Sequence, residues 1–198
     1  MQVQEADKRL NVENMAVIEN VQKEVAAATG LPSMRTLSLS GYERALLGRN
    51  DGNGHFEDIA ALVGADIVLD SRSVASGDVD GDGDLDLVLR NFTNPRLTYL
   101  ENVYPRPGRF LRVKLEGPAQ NPTGIGALVR VESAGHVQMQ SISAGAGFLT
   151  QHPSVLHFGL GASDAAERVV VRWPDGGEQV VEGPSAGPSP LMIRHRER

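Results

Sequence analysis

Asp78, Asp80, Asp82, Asp84 and Asp86 fall at every second position of the run GDVDGDGDLDLVL, with Gly83 in the sixth place counted from Asp78. In an open strand this alternation would set all these carboxylates on one face, where like charges repel unless a cation neutralises them. A tight loop can instead fold them around one ion. Calcium fits best, because it takes six to eight hard oxygen ligands, and the absence of Cys or His from the run denies softer metals their preferred donors. Asp78, Asp80 and Asp82 are expected to ligate through their side chains, Asp84 through its backbone carbonyl and Asp86 through its carboxylate, with Gly83 allowing the sharp turn. The twelfth residue counted from Asp78 is Leu89 rather than Glu, and Leu85, Leu87 and Leu89 alternate. The loop therefore feeds a strand and not the second helix of an EF-hand.

Other groups offer weaker chemistry. In RNDGNGHFEDIA the oxygen donors Asp51, Asn53, Glu57 and Asp58 read either as a hairpin, since DG and NG are strong hairpin turns, or as a second ion site. His152 and His157 flank an apolar strand and, set beside Asp164 or Asp175, could act as acid and base. The plainer reading is the polar face of a strand. Trp173 reads as a core or rim aromatic, or as a sugar-stacking platform. Asn91 to Thr93 forms an N-x-T sequon, and Arg194, His195, Arg196 and Arg198 read as a solvated tail. No phosphate-binding P-loop or HExxH is present, and Gly124 and Gly126 lack the third glycine of a dinucleotide loop.

The elements that must position these groups are mostly strands. A chain of 198 residues with 40% hydrophobic and 22% charged residues is globular in composition, with room for one ordinary domain or two small ones. The 22 glycines and 11 prolines favour turns and β structure. A formal charge of −6, with basic residues scattered, argues against nucleic-acid binding. The lack of cysteine excludes disulfides and thiolate chemistry. No apolar run approaches the roughly 18 to 20 residues of a membrane span, and residues 1–30 lack the pattern of a secretory signal.

From Glu13 to Thr29, Val17, Ile18, Val21, Val25 and Ala28 recur at helical spacing, with Gly30 and Pro32 as a stop. Alternating runs then predict strands at Arg35–Ser40, Leu85–Leu89, Leu97–Leu100, Phe110–Leu115, Leu128–Glu132, Val137–Ile142, Val155–Phe158 and Val169–Trp173. The expected C-terminal core holds Leu111, Val113, Leu128, Val129, Val131, Phe148, Leu156, Phe158, Leu160, Val169, Val171 and Trp173. Two prolines and a glycine place a boundary near Tyr104 to Gly108.

Two stretches resemble known families. GRNDGNGHFEDIA, SGDVDGDGDLDLVLRN and PRLTYLEN resemble an FG-GAP (VCBS-type) calcium-binding propeller repeat. GRFLRVKLEG, NPTGIGALVRV, SAGAGFLTQHPSVLHFGLG and VVVRWPDGGEQVVEG resemble the ASPIC/UnbV domain of cartilage acidic protein-like and bacterial secreted proteins. The resemblance spans about Gly41 to Gly183 and implies a mainly β chain: a partial propeller-like blade with a calcium loop, then a small β-sandwich or barrel-like domain. The expected division is an N-terminal helix and linker over 1–36, the repeat over 37–104 and the β domain over 105–198. The resemblance also implies an extracellular, periplasmic or cell-surface setting and no particular activity. A closed propeller needs about four to eight blades, so the lone repeat leaves strand edges and an apolar face to be covered by the helix, a protein partner or self-association. The expected function is a non-catalytic, calcium-stabilised interaction or adhesion module. A glycan-active hydrolase and a lectin-like glycan binder stay open as alternatives.

Overall fold

The computed structural model describes residues 2–4, 27, 43–92, 94–104 and 108–196. The chain divides into two compact units, one running to Val74 and resuming over Asp86–Val103, the other holding Ala75–Leu85 and everything from Tyr104 onward. The helix expected over Glu13 to Thr29 lies outside the described residues except for Ala27, as does the strand expected at Arg35–Ser40.

In the first unit, β1 (Gln2–Gln4), β6 (Leu97–Glu101), β5 (Asp86–Asn91) and β4 (Ser71–Gly77) lie side by side in that order in one sheet. β5 and β6 are antiparallel, with Leu87 opposite Leu100 and Leu89 opposite Thr98. A short antiparallel ribbon, β2 (Gly48–Asn50) and β3 (Phe56–Asp58), precedes a single helical turn, α1 (Ala60–Val63), which Gly64 ends in the left-handed conformation. Among the described residues the core here is small: Ala60, Ala65, Leu89 and Leu100, with Leu47, Val63, Ile67 and Leu87 against them. Asn91 is wholly buried and satisfied. Its amide donates to Pro95 O and Thr98 Oγ1, and its carbonyl accepts from Ser71 Oγ. Burial and this bonding withdraw Asn91 from use as a glycan acceptor.

The second unit is a sandwich. β7 (Arg109–Glu116) lies between β10 (Val155–Gly161), antiparallel to it, and β13 (Gly187–Arg194), parallel to it. The other sheet runs β12 (Glu178–Glu182), β11 (Arg168–Arg172), β8 (Leu128–Ser133), β9 (His136–Ser141). Alternation predicts the buried faces. Leu111, Val113 and Leu115 of β7 and Leu156, Phe158 and Leu160 of β10 meet Val129 and Val131 of β8 and Val169 and Val171 of β11 in one core. Burying an aliphatic or Phe side chain of this kind is worth about 1.5–3 kcal/mol.

Two expected core members differ. Phe148 is 67% exposed on the loop between β9 and β10, and Leu128 is half-buried at the start of its strand. Trp173 is buried, which removes it as a sugar-stacking platform. Of the residues expected in a solvated tail, Arg194 and Arg196 are exposed, but Arg194 ends the strand Gly187–Arg194, and the His195 side chain lies edge-on to Trp173 with its Nε2 2.9 Å from Asp175 Oδ2. Pro188 and Pro190 interrupt the alternation there, which hid the strand. The described sheets remain open rather than closing into a barrel.

Candidate metal centre

The acidic run leaves β4 at Gly77 and enters β5 at Asp86. Between them the loop coils through glycines in the left-handed region, Gly81 at φ 84° and Gly83 at φ 96°. Each early aspartate closes a local turn on the backbone ahead of it. Asp78 Oδ1 accepts from the N–H of Gly81 at 2.7 Å, Asp80 Oδ1 from that of Asp82 at 3.1 Å, and Asp82 Oδ1 from that of Asp84 at 3.0 Å. The outcome is convergence: Asp78, Asp80 and Asp82 each present a carboxylate oxygen within 4.8 Å of the others, so this cluster could hold a metal ion.

Electrostatics support a hard cation there. The Asp78 side chain is only 5% exposed, and Arg112 Nη1 of β7 lies 3.4 Å from its Oδ2. One guanidinium against three carboxylates leaves the cluster short of positive charge. The donors are all oxygen, which suits calcium or magnesium and not a soft metal.

The two later aspartates are placed differently. Asp84 is buried within the loop. Asp86 is buried at the start of β5, where its Oδ1 accepts the Asn102 N–H at 2.9 Å. Gly83 does more than turn the chain. A β-carbon there would stand 2.1 Å from the Phe110 ring, and that ring stacks on His157 with centroids 5.1 Å apart. Sequence reasoning missed Arg112 and Phe110, because both read simply as members of an alternating strand.

The remaining candidates make local structural contacts. Asp51 Oδ1 accepts the Asn53 N–H at 2.7 Å inside the β2–β3 hairpin, Glu57 pairs with Arg49, and Asp58 Oδ1 accepts from the N–H groups of Leu47 and Ala60. Among the His and Asp groups, Asp164 pairs with Arg109, and Asp175 with His195, while His152 Nδ1 accepts the Ser76 N–H at 3.0 Å.

Against known families, residues 36–89 match the FG-GAP-like repeat and residues 117–197 match ASPIC and UnbV. No curated protein matches the chain.

Proposed function

We propose that this chain, an FG-GAP-like repeat followed by an ASPIC and UnbV domain, is a non-catalytic interaction module of an extracellular or cell-envelope assembly, and that calcium in the Asp78–Asp86 loop stabilises it. The observation that carries the reading is the convergence of Asp78, Asp80 and Asp82 within 4.8 Å. In this proposal those side chains hold the ion, Asp84 adds its backbone carbonyl, and Asp86 is the further carboxylate. The ion would supply fixed positive charge and chemistry no more elaborate than that. The part of the loop up to Leu85 belongs to the same compact unit as the sandwich, so the cation would stiffen the segment leading out of β4.

The interaction role draws on exposed apolar groups of the first unit. Among the described residues Leu46 is 79% exposed, Phe56 69% and Leu62 81%, side chains that a partner could cover. We place the contact region, for a protein partner or a second copy, between Leu37 and Leu100. The working division stays 1–36, 37–104 and 105–198.

An ion that binds only the folded state raises stability by RT ln(1 + [L]/Kd), about 2.7 kcal/mol at a hundredfold excess over Kd. Saturating calcium should therefore raise Tm over that in chelator, and Asp82→Ala should abolish the rise. Asp86→Asn, measured beside it, reports whether that carboxylate ligates. Superimposable melting curves of the unaltered protein in calcium and in chelator would reject the calcium reading.

A further inference from the structure

Within the second unit the acidic loop rests on the outer face of β7. Leu111 and Val113 point into the core, so Phe110 and Arg112 point outward on one face. Both meet the loop. The Phe110 ring fills the space that a β-carbon at Gly83 would need, and Arg112 Nη1 stands 3.4 Å from Asp78 Oδ2. The sandwich thus supplies a positive charge beside the first of the three converging carboxylates.

The geometry gives that charge a role other than locking the aspartate. Charge-assisted N–H···O contacts close to about 2.7–2.9 Å, so a separation of 3.4 Å is a loose pair. The same nitrogen lies 3.4 Å from Pro188 O of β13, and is therefore shared between two acceptors. Yet the Asp78 side chain is only 5% exposed, so water screens it poorly, and without a metal the guanidinium is what compensates its charge. A divalent cation on the same carboxylate reverses the account. The ion then supplies the compensation, and Arg112 becomes a like charge beside it, which repels.

We propose that Arg112 is the resident counter-ion of the acidic loop: it neutralises Asp78 while no metal is bound, and it opposes the cation that replaces it. The inference rests on the calcium reading above and adds its regulation. The affinity of the loop is set downward by a strand of the sandwich, and not by the loop's own donors alone.

The test is calorimetric titration of the full chain with calcium and with lanthanum, a hard cation carrying one more charge. Arg112→Gln should bind calcium about tenfold more tightly than the unaltered protein. The gain for lanthanum should be larger, because the repulsion removed scales with the charge of the ion; a change that merely reshaped the loop would not follow valence. Arg112→Lys keeps the charge and should stay within about threefold of the unaltered protein. In chelator Arg112→Gln should melt below the unaltered protein, so that calcium raises its Tm by more. No saturable binding of either ion by either protein would reject the calcium reading and this inference with it. Calcium binding by the unaltered protein, with equal or weaker affinity in Arg112→Gln, would leave that reading intact and overturn the counter-ion. An Arg112→Lys protein that binds as tightly as Arg112→Gln would overturn it too, since charge would then not be the cause. If Arg112→Gln does not fold, the Arg112 Nε–H resonance of the unaltered protein, identified by its absence from the Arg112→Lys spectrum, takes over the comparison. It should move as calcium is added, and a resonance unmoved at saturation overturns the proposal.

Discussion

Both units are built from strands, yet their described residues close cores to very different degrees. Among the described residues the C-terminal unit gathers fifteen buried side chains, contributed by β7, β8, β10, β11 and β13 and the segments between them, into one core. The N-terminal unit gathers four. A sandwich offers each strand a facing sheet, so alternate residues meet partners. A single described sheet offers a facing layer only where α1 and its flanking loops supply it, and Ala60 and Ala65 supply little area. The difference teaches where apolar burial is concentrated: among the described residues it lies chiefly in the second unit, while the first adds polar bonds such as those of Asn91 to its smaller core.

The sharpest way to break this comparison is to empty each core in turn. Phe158 is fully buried, and Phe158→Ala should cost about 3–5 kcal/mol through lost transfer energy and the cavity left behind. Leu100→Ala in the first unit should cost about 2–3 kcal/mol. In urea unfolding, Phe158→Ala should move the dominant transition, and Leu100→Ala only an earlier, smaller one. Equal displacement of a single shared transition by both would show that the units do not differ as their cores suggest.

A second, smaller effect tests the placement of the acidic loop in the second unit. At Gly83 the backbone has φ 96°, and an added β-carbon would meet the Phe110 ring. Left-handed backbone costs a non-glycine residue roughly 1–2 kcal/mol, and displacing the ring from its stack on His157 adds to that. Gly83→Ala should therefore cost about 2 kcal/mol or more. Measured in chelator, the loss should appear in the dominant transition. A loss confined to the smaller transition would detach the loop from the sandwich.

What the sequence revealed divides along similar physical lines. The core strands of the sandwich were legible because one buried face imposes a period of two, as in Leu111, Val113 and Leu115. β12 and β13 were not. Glu178 to Glu182 alternates only between half-buried and exposed, so its pattern is shallow, and Gly187 to Arg194 is broken by two prolines. Phe148 misled for the opposite reason: an aromatic in a glycine-rich stretch looks like core, but the loop it sits on turns it outward. In the acidic loop the carboxylates that converge were legible from composition. The hydrogen bond that Asp86 accepts was not, because its donor, Asn102, is distant in sequence. Arg112 could not be read as a site residue, since its meaning comes from what stands opposite it in space.

The smallest expected effect sharpens the comparison through pH. Glu132 of β8 sits directly across from Arg168 of β11. The guanidinium grips it in bidentate fashion, Nε to Oε2 at 2.8 Å and Nη2 to Oε1 at 2.9 Å, and Arg130 Nη2 lies 2.7 Å from Oε1. The Arg168 hydrogen bonds hold the Glu132 carboxyl below the usual carboxylate value, against a partial opposing push from burial, with the charges of Arg130 and Arg168 assisting. A carboxyl whose pKa is lower in the folded than in the unfolded protein binds its proton more readily when unfolded. Its contribution to stability is therefore full above the ordinary glutamate pKa, falls as the pH drops toward the lowered value, and is gone below it. The pair lies in the second unit, so acid should weaken the dominant transition through this group. Glu132→Gln, melted in chelator across the acid range, should show a shallower fall of that transition with decreasing pH than the unaltered protein. The effect should be small, because the pair is partly open to solvent. Parallel pH profiles for the two proteins would mean that the cross-strand pair contributes no acid sensitivity, and would shift the search for it to the carboxylates of the loop.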